Sequence, residues 1–147
     1  MALWQFEFDI RPSCAEGITS RPWSKVAAPT AQITFLPLND VQPGRFRLYG
    51  DLDSTSVVMW YDEEQLTDIC CRLDLRKLLK RDLSSLIDYT KAIHGCFCID
   101  GKVYSPTLEN LLPLMKESEA NRFCKDPASF FNSLRNDALQ KEEKNDS

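Results

Sequence analysis

Gln65-Leu66-Thr67-Asp68-Ile69-Cys70-Cys71-Arg72-Leu73-Asp74-Leu75-Arg76 is the stretch on which the fold turns. Its odd positions Ile69, Cys71, Leu73 and Leu75 are apolar, and its even positions Asp68, Cys70, Arg72, Asp74 and Arg76 are mostly charged. Side chains alternate between faces along a strand, so the pattern predicts a long strand over 65–75 with one face for the core and one for water. The acidic turn Asp62-Glu63-Glu64 precedes it, and before that comes the β-branched and aromatic run 55–61, a second strand. Residues 45–50 alternate as well, after a Pro43-Gly44 turn signal, and a polar connection from Gly50 to Ser54 follows them. These segments read as a β-meander.

Towards the N-terminus, Trp4, Phe6, Phe8 and Ile10 alternate with Gln5, Glu7 and Asp9, which predicts a strand over 2–10. Residues 11–31 hold Pro12, Gly17, Pro22 and Pro29 and read as a long loop across the surface. A short strand over 32–38 returns from it and ends at Pro37. Towards the C-terminus the period changes. Leu79, Leu83, Leu86, Ile87, Thr90 and Ile93 recur at helical spacing over 78–94, with Gly95 in the position of a C-cap. Residues 96–99 and 102–104 form a hairpin around Asp100-Gly101. Ser105-Pro106 reads as N-cap and first turn of a helix that turns Leu108, Leu111, Leu112 and Met115 inward. Ser118 caps a short helix through Phe123, and Asp126-Pro127 starts another anchored by Phe130, Phe131 and Leu134. Residues 136–147 read as a flexible charged tail. Strands followed by helices define an α+β domain over 1–135, an antiparallel meander sheet with helices packed on one face and the other face open.

A chain of 147 residues is long enough to bury a core without a metal or disulfides. The net charge of −4 weighs against nucleic acid and anionic membranes as partners, because both require clustered Lys and Arg. No apolar run has the length of a membrane span, and the N-terminus lacks the basic start and apolar stretch of a secretory signal. The expected location is therefore the cytoplasm. The cysteines Cys14, Cys70, Cys71, Cys96, Cys98 and Cys124 are then expected as free, mostly buried thiols.

No catalytic residue, metal site or cofactor is assigned. His94 is the single histidine and ends a helix, where a capping or surface role suffices. The cysteine pairs are CC and CxC, not the spacing of structural zinc or of a thioredoxin-type CxxC. None of the five glycines is clustered, as a phosphate-cradling loop would require. Glu7 with Asp9, or Asp51 with Asp53, offers carboxylates to a hydrolase, but the plainer reading is solvated charge.

Three features point to a binding surface. Arg72, Asp74 and Arg76 share one strand face, as a charge ladder in mutual ion pairs or as an interface rich in Arg. From Arg47 to Arg72 no cation intervenes, while Asp51, Asp53, Asp62, Glu63, Glu64 and Asp68 make the region acidic, suited to steering a basic partner. Trp60 and Tyr61 are neighbours on a strand, so one of them reaches the open face as an anchor.

With these segments in view, the stretch from Leu48 to Leu134 resembles small bacterial immunity proteins encoded beside polymorphic or contact-dependent toxins. The resemblance is carried by Tyr49-Gly50-Asp51, by the strand ending Arg72-Leu73-Asp74-Leu75-Arg76, and by Ser118-Glu119-Ala120-Asn121-Arg122-Phe123 with Asp126-Pro127 and Phe130. It implies no catalysis and no cofactor. It implies stoichiometric binding of a cognate toxin domain, and the acidic region fits a basic, nuclease-type toxin. The expected function is neutralisation of that toxin by occlusion. The competing expectations are a carboxylate-dependent hydrolase, supported by a deep pocket with two close carboxylates, and an adaptor that homodimerises through the open sheet face.

Overall fold

The computed structural model describes residues 2–13, 22–26 and 29–126. Within them, seven strands form one sheet: β1 (Gln5–Pro12), β2 (Leu38–Gln42), β3 (Phe46–Gly50), β4 (Ser56–Asp62), β5 (Gln65–Asp74), β6 (Gly95–Ile99) and β7 (Lys102–Tyr104). The helices are α1 (Lys80–Ala92), α2 (Leu108–Lys116) and α3 (Glu119–Lys125), with a 3-10 turn at Trp23–Lys25. The strand order is β2-β3-β4-β5-β1-β6-β7 and every pairing is antiparallel. This is the α+β class with an open sheet that the patterning predicts. The meander runs hairpin by hairpin from β2 to β5. β1 then inserts in the middle, between β5 and β6, pairing Gln5 with Asp74 and Ile10 with both Ile69 and Phe97.

Alternation sorts the two faces. Phe6, Phe8 and Ile10 of β1, Val57 and Met59 of β4, Ile69, Cys71 and Leu73 of β5, and Phe97 and Ile99 of β6 form one buried cluster. α1 adds Leu83, Leu86, Ile87 and Tyr89 to it from successive turns, Ile93 joins just past the helix end, and α2 adds Leu111 and Met115. Burial of each such side chain contributes roughly 1.5–3 kcal/mol before chain entropy is set against it. The described part of the excursion joins this core through Trp23, with Val26 and Ala31 packed partly against it. Trp23 is buried and its indole N–H donates to the Ile10 carbonyl at 2.8 Å, so the 3-10 turn is a lid on the sheet.

Several boundaries differ from the sequence expectation. The returning strand begins at Leu38 and not at 32, after Pro37, whose carbonyl accepts from the Gly50 amide at 2.8 Å. α1 ends at Ala92, and the chain reverses at His94, which adopts φ 56°, so Gly95 is not the cap. Gly95 opens β6 because of close approach: a Cβ there would lie 2.9 Å from Ile10 Cγ2 and 3.2 Å from Thr90 Cγ2. Thr107, and not Ser105, caps α2 by accepting from the Asn110 amide. Ser118 caps α3 as expected, accepting from the Asn121 amide. The β6–β7 turn has Asp100 at φ 51° and Gly101 at φ 78°, the paired left-handed conformations of a tight Asp-Gly hairpin. Asp126 is the C-cap of α3. The helix expected to start there, from Pro127 with its anchors Phe130, Phe131 and Leu134, and the tail over 136–147 lie outside the described residues, as does Cys14. Of the other cysteines, Cys71 and Cys96 are buried, while Cys70, Cys98 and Cys124 are half-buried, so fewer are sequestered than expected.

Candidate functional site

The sheet face turned away from α1 and α2, here the far face, carries the alternate side chains, of which Leu48 and Val58 are buried and Trp60 and Asp68 exposed. Register places them in rows. Leu48, Val58, Cys70, Asp9, Cys98 and Val103 stand side by side across six strands. In the next row Phe46, Trp60 and Asp68 adjoin one another. On the other side of the first row lie Ser56, Arg72 and Glu7. Trp60, not Tyr61, is the residue that reaches this face, 46% exposed, with its ring 5.6 Å from that of Phe46. Tyr61 packs against the core side, with the Arg47 guanidinium 5.8 Å from its ring centre.

The expected acidic patch divides in two. The 51–55 loop and the Asp62–Glu64 turn sit at opposite ends of β4, whose length separates them by about 20 Å. At the Asp62–Glu64 end, Glu63 takes φ 58° and its amide bonds to the Gly44 carbonyl at 3.1 Å. Arg45 and Arg47 lie alongside this turn, since the Arg45 carbonyl accepts from the Tyr61 amide at 2.7 Å. Glu63 and Glu64 form a wall between two open grooves, one of 310 Å3 with Phe46, Arg47 and Tyr61, the other of 420 Å3 with Trp23 and Leu66. Asp68 is exposed on the far face beside Trp60.

At the opposite end the fold engages Asp51, Asp74, Arg76 and the Asp53 backbone, while the Asp53 side chain stays exposed. Asp51 Oδ1 accepts from the Asp53 amide at 3.0 Å, which shapes the loop. The Asp53 carbonyl receives the Trp4 indole N–H at 2.9 Å and Arg76 Nη2 at 3.2 Å. Gln5 Nε2 donates to the carbonyls of Leu52 and Ser54, both at 2.7 Å. Gly50 enters this loop at φ 79°, and a Cβ there would overlap the Thr55 carbonyl oxygen. Asp74 was expected to face water and is fully buried, because the loop folds over its end of the sheet. It accepts from the Arg76 backbone amide at 3.0 Å, Nε at 3.0 Å and Nη2 at 2.8 Å. The Arg76 guanidinium in turn lies 3.9 Å from the Trp4 ring centre. Burial pushes the Asp74 carboxyl up, but the hydrogen bonds and charge of Arg76 outweigh it and hold the group below the usual carboxylate range. The Arg-x-Asp-x-Arg ladder is therefore a lock at one end. Its remaining member, Arg72, pairs with Glu7 at 3.7 Å and not with Asp74.

Sequence reading passed over Phe46 as a face residue and treated Glu7 and Asp9 as solvated charge. Asp9 is half-buried, and its carboxyl is raised by burial, against the charge of Arg11, with Asp68 and Glu7 raising it further. Alternation within β1 marks Glu7 and Asp9 as one face, but only the β1–β5 pairing brings Asp68 to them. The Cys70 thiol beside them donates to Glu7 at 3.3 Å and is pushed up to about 12 by burial, that bond and the neighbouring carboxylates. It is a hydrogen-bonding group there and not a nucleophile. Of the carboxylates offered to a hydrolase, Glu7 and Asp9 stand together on the far face; Glu7 lines an open groove of 480 Å3 with Asp100, Glu117 and Glu119, and Asp51 lines one of 560 Å3 with Asp82. Another groove, of 680 Å3, runs between α1 and α2 past Leu83, Ile87, Leu108 and Leu112. Among the described residues no group of three or more His, Cys, Asp or Glu could hold a metal ion. No helix in them is long and apolar enough to cross a membrane.

Fold and face together define an α+β protein with an open antiparallel sheet whose far face exposes an aromatic pair beside carboxylates. No protein-family model, curated protein or solved structure matches the chain.

Proposed function

We propose that this is a non-catalytic binding protein that docks a basic protein partner on the far face, around Trp60. The observation that carries the reading is the half-exposed Trp60, tilted against Phe46 and adjoined by Asp68. Large aromatic side chains at the centre of a surface, ringed by polar groups, are the usual source of binding energy between proteins. The exposed carboxylates at that end, Asp62, Glu63, Glu64 and Asp68, favour a basic surface, with Arg11, Lys25, Arg45 and Arg47 as the neighbouring cations. The resemblance to immunity proteins narrows the partner to a toxin domain and the mechanism to occlusion in the cytoplasm; that narrowing rests on the resemblance alone.

The test is capture of the partner from native cells by the tagged chain, with mass spectrometry of what is bound. The expected result is a stoichiometric basic protein, released by salt. It is lost on Asp62→Lys/Glu63→Lys/Glu64→Lys and retained on Asp51→Lys/Asp53→Lys, because the two turns lie at opposite ends. Equal loss in both variants, or no partner at all, would refute the reading.

A second reading has one observation in its favour. β2 is an edge strand exposed along its whole length, with Leu38 at 53% and Val41 at 39% exposure. Such an edge offers unpaired backbone groups to another strand. Sedimentation of the isolated chain as a concentration-dependent dimer, abolished by Val41→Pro, supports a homodimer built there.

A further inference from the structure

Trp60, Phe46 and Asp68 have the parts of a cradle for a planar cation. The register sets Asp68 directly across β4–β5 from Trp60, and Phe46 directly across β3–β4 on its other side. Residues so opposed have Cβ atoms about 5 Å apart, close enough for one incoming group to touch both side chains. The Phe46 and Trp60 rings are inclined at 56°, so they form a corner and not a flat stack. Among the described residues Asp68 has no ion pair, although cations stand nearby. Arg72 is taken by Glu7 at 3.7 Å, and Arg11 lends its charge to Asp9.

The chain shows the same set of groups completed at the other end of the sheet. There Trp4 supplies the ring, Asp74 the carboxylate, and Arg76 the cation, 3.9 Å above the ring and bonded through two guanidinium nitrogens to the carboxyl. At the Trp60 end the ring and the carboxylate are present. Arg11 stands next to Asp68 in the continued β1–β5 register, but among the described residues no guanidinium pairs with Asp68 or lies over the Trp60 ring. A guanidinium fits better than an ammonium, because it is planar, stacks on an indole and carries donors in a fork that matches a carboxylate.

We propose that Trp60, Phe46 and Asp68 receive an arginine side chain of the protein partner. The inference deepens the reading of the far face as the docking surface and rests on it. The probe is a short blocked oligoarginine peptide, titrated into the full chain at low salt, with an oligolysine of equal length as comparison. The readout is the Trp60 indole N–H resonance, assigned with Trp60→Phe. A saturable shift is expected with arginine, and binding about tenfold weaker with lysine. Asp68→Asn should weaken arginine binding by a similar factor. All of these side chains are at the surface, so an unchanged melting temperature verifies that the variants fold.

Equal binding of the two peptides, or arginine binding untouched in Asp68→Asn, overturns the proposal in favour of diffuse charge attraction. Its failure is separable from that of the docking reading. A native partner lost on Trp60→Ala but held equally by the wild type and by Asp68→Asn sinks the cradle and leaves the surface. An arginine-selective shift at Trp60 with no native partner captured supports the cradle while the docking reading falls.

Discussion

Asp74→Asn is the sharpest probe of the lock at the loop end of the sheet. The carboxylate is fully buried and accepts three hydrogen bonds from Arg76, at 3.0, 3.0 and 2.8 Å. Asparagine has the same shape, so packing is preserved and only charge and acceptor count change. Its amide NH2 must face a guanidinium donor, and the surviving bonds lose their charge assistance. The Arg76 head, partly exposed, recovers some of the loss from water. Two weakened bonds in that setting amount to about 2–3 kcal/mol. For a chain of this size that lowers the melting temperature by roughly 5–10 °C.

The deficit should also depend on pH. The Asp74 carboxyl is held below its usual range, so the stabilisation is present above the unfolded value of about 3.9 and is lost as pH falls through the lower folded value. Urea denaturation followed by tryptophan fluorescence, at neutral pH and in steps down through acid, reads both effects. Arg76→Lys is the companion variant: it keeps the charge, loses the fork and should fall between wild type and Asp74→Asn. A variant as stable as wild type at neutral pH, or one whose deficit persists unchanged in strong acid, would show that Asp74 and Arg76 do not lock the loop.

Asp9 behaves in the opposite sense. Its carboxyl is raised chiefly by burial, so ionisation works against folding above the usual carboxylate range; Asp9→Asn should gain under about 1 kcal/mol at neutral pH after screening, shrinking in acid, and a loss at neutral pH would contradict the assignment. Gly95→Ala should cost about 1–3 kcal/mol by overpacking, since its Cβ would lie 2.9 Å from the fully buried Ile10; denaturant titration showing no loss would mean that β1 and α1 yield more easily than their packing implies. Cys70, raised to about 12, should resist iodoacetamide at mildly alkaline pH while the comparably half-buried Cys98 is alkylated first; equal labelling by peptide mass spectrometry would rule that out.

What could be read from the sequence is what a single segment encodes. The two-residue period over 65–75 identifies a strand and its faces, and the helical period after it identifies α1. Burial of Asp74 is not encoded there. Parity assigns it to the far face correctly, but the loop that covers it is recruited by Gln5 and Trp4, some fifty positions earlier in the chain. The central place of β1 likewise depends on pairing with residues 69–74 and 95–98, which no local pattern reports. The acidic run from Asp51 to Asp68 is continuous in sequence and discontinuous in space, because a strand lies inside it. Trp60 was legible as an anchor, since one of two strand neighbours must face outward. Its partners Phe46 and Asp68 were not, since the β3–β4 and β4–β5 registers are needed to bring them alongside.

The two ends of the sheet are built from the same residue types and divide the work between them. A carboxylate that already accepts three hydrogen bonds has little left to offer a partner, and breaking those bonds to make new ones gains nothing net. That removes Asp74 and Arg76 from contention, and it leaves Asp51 and Asp53 as the rim of a structural loop. At the other end of β4 the exposed indole of Trp60, the carboxylate of Asp68 and the acidic turn stand together with their bonds not yet made, whereas Asp53 is a single exposed carboxylate on a loop tied down by its backbone. Substitutions should therefore sort by position along β4 and not by residue type. Those near Asp74 should act on stability, and those near Trp60 on binding. Since the two groups share no side-chain contacts across about 20 Å, their effects should add in combined variants.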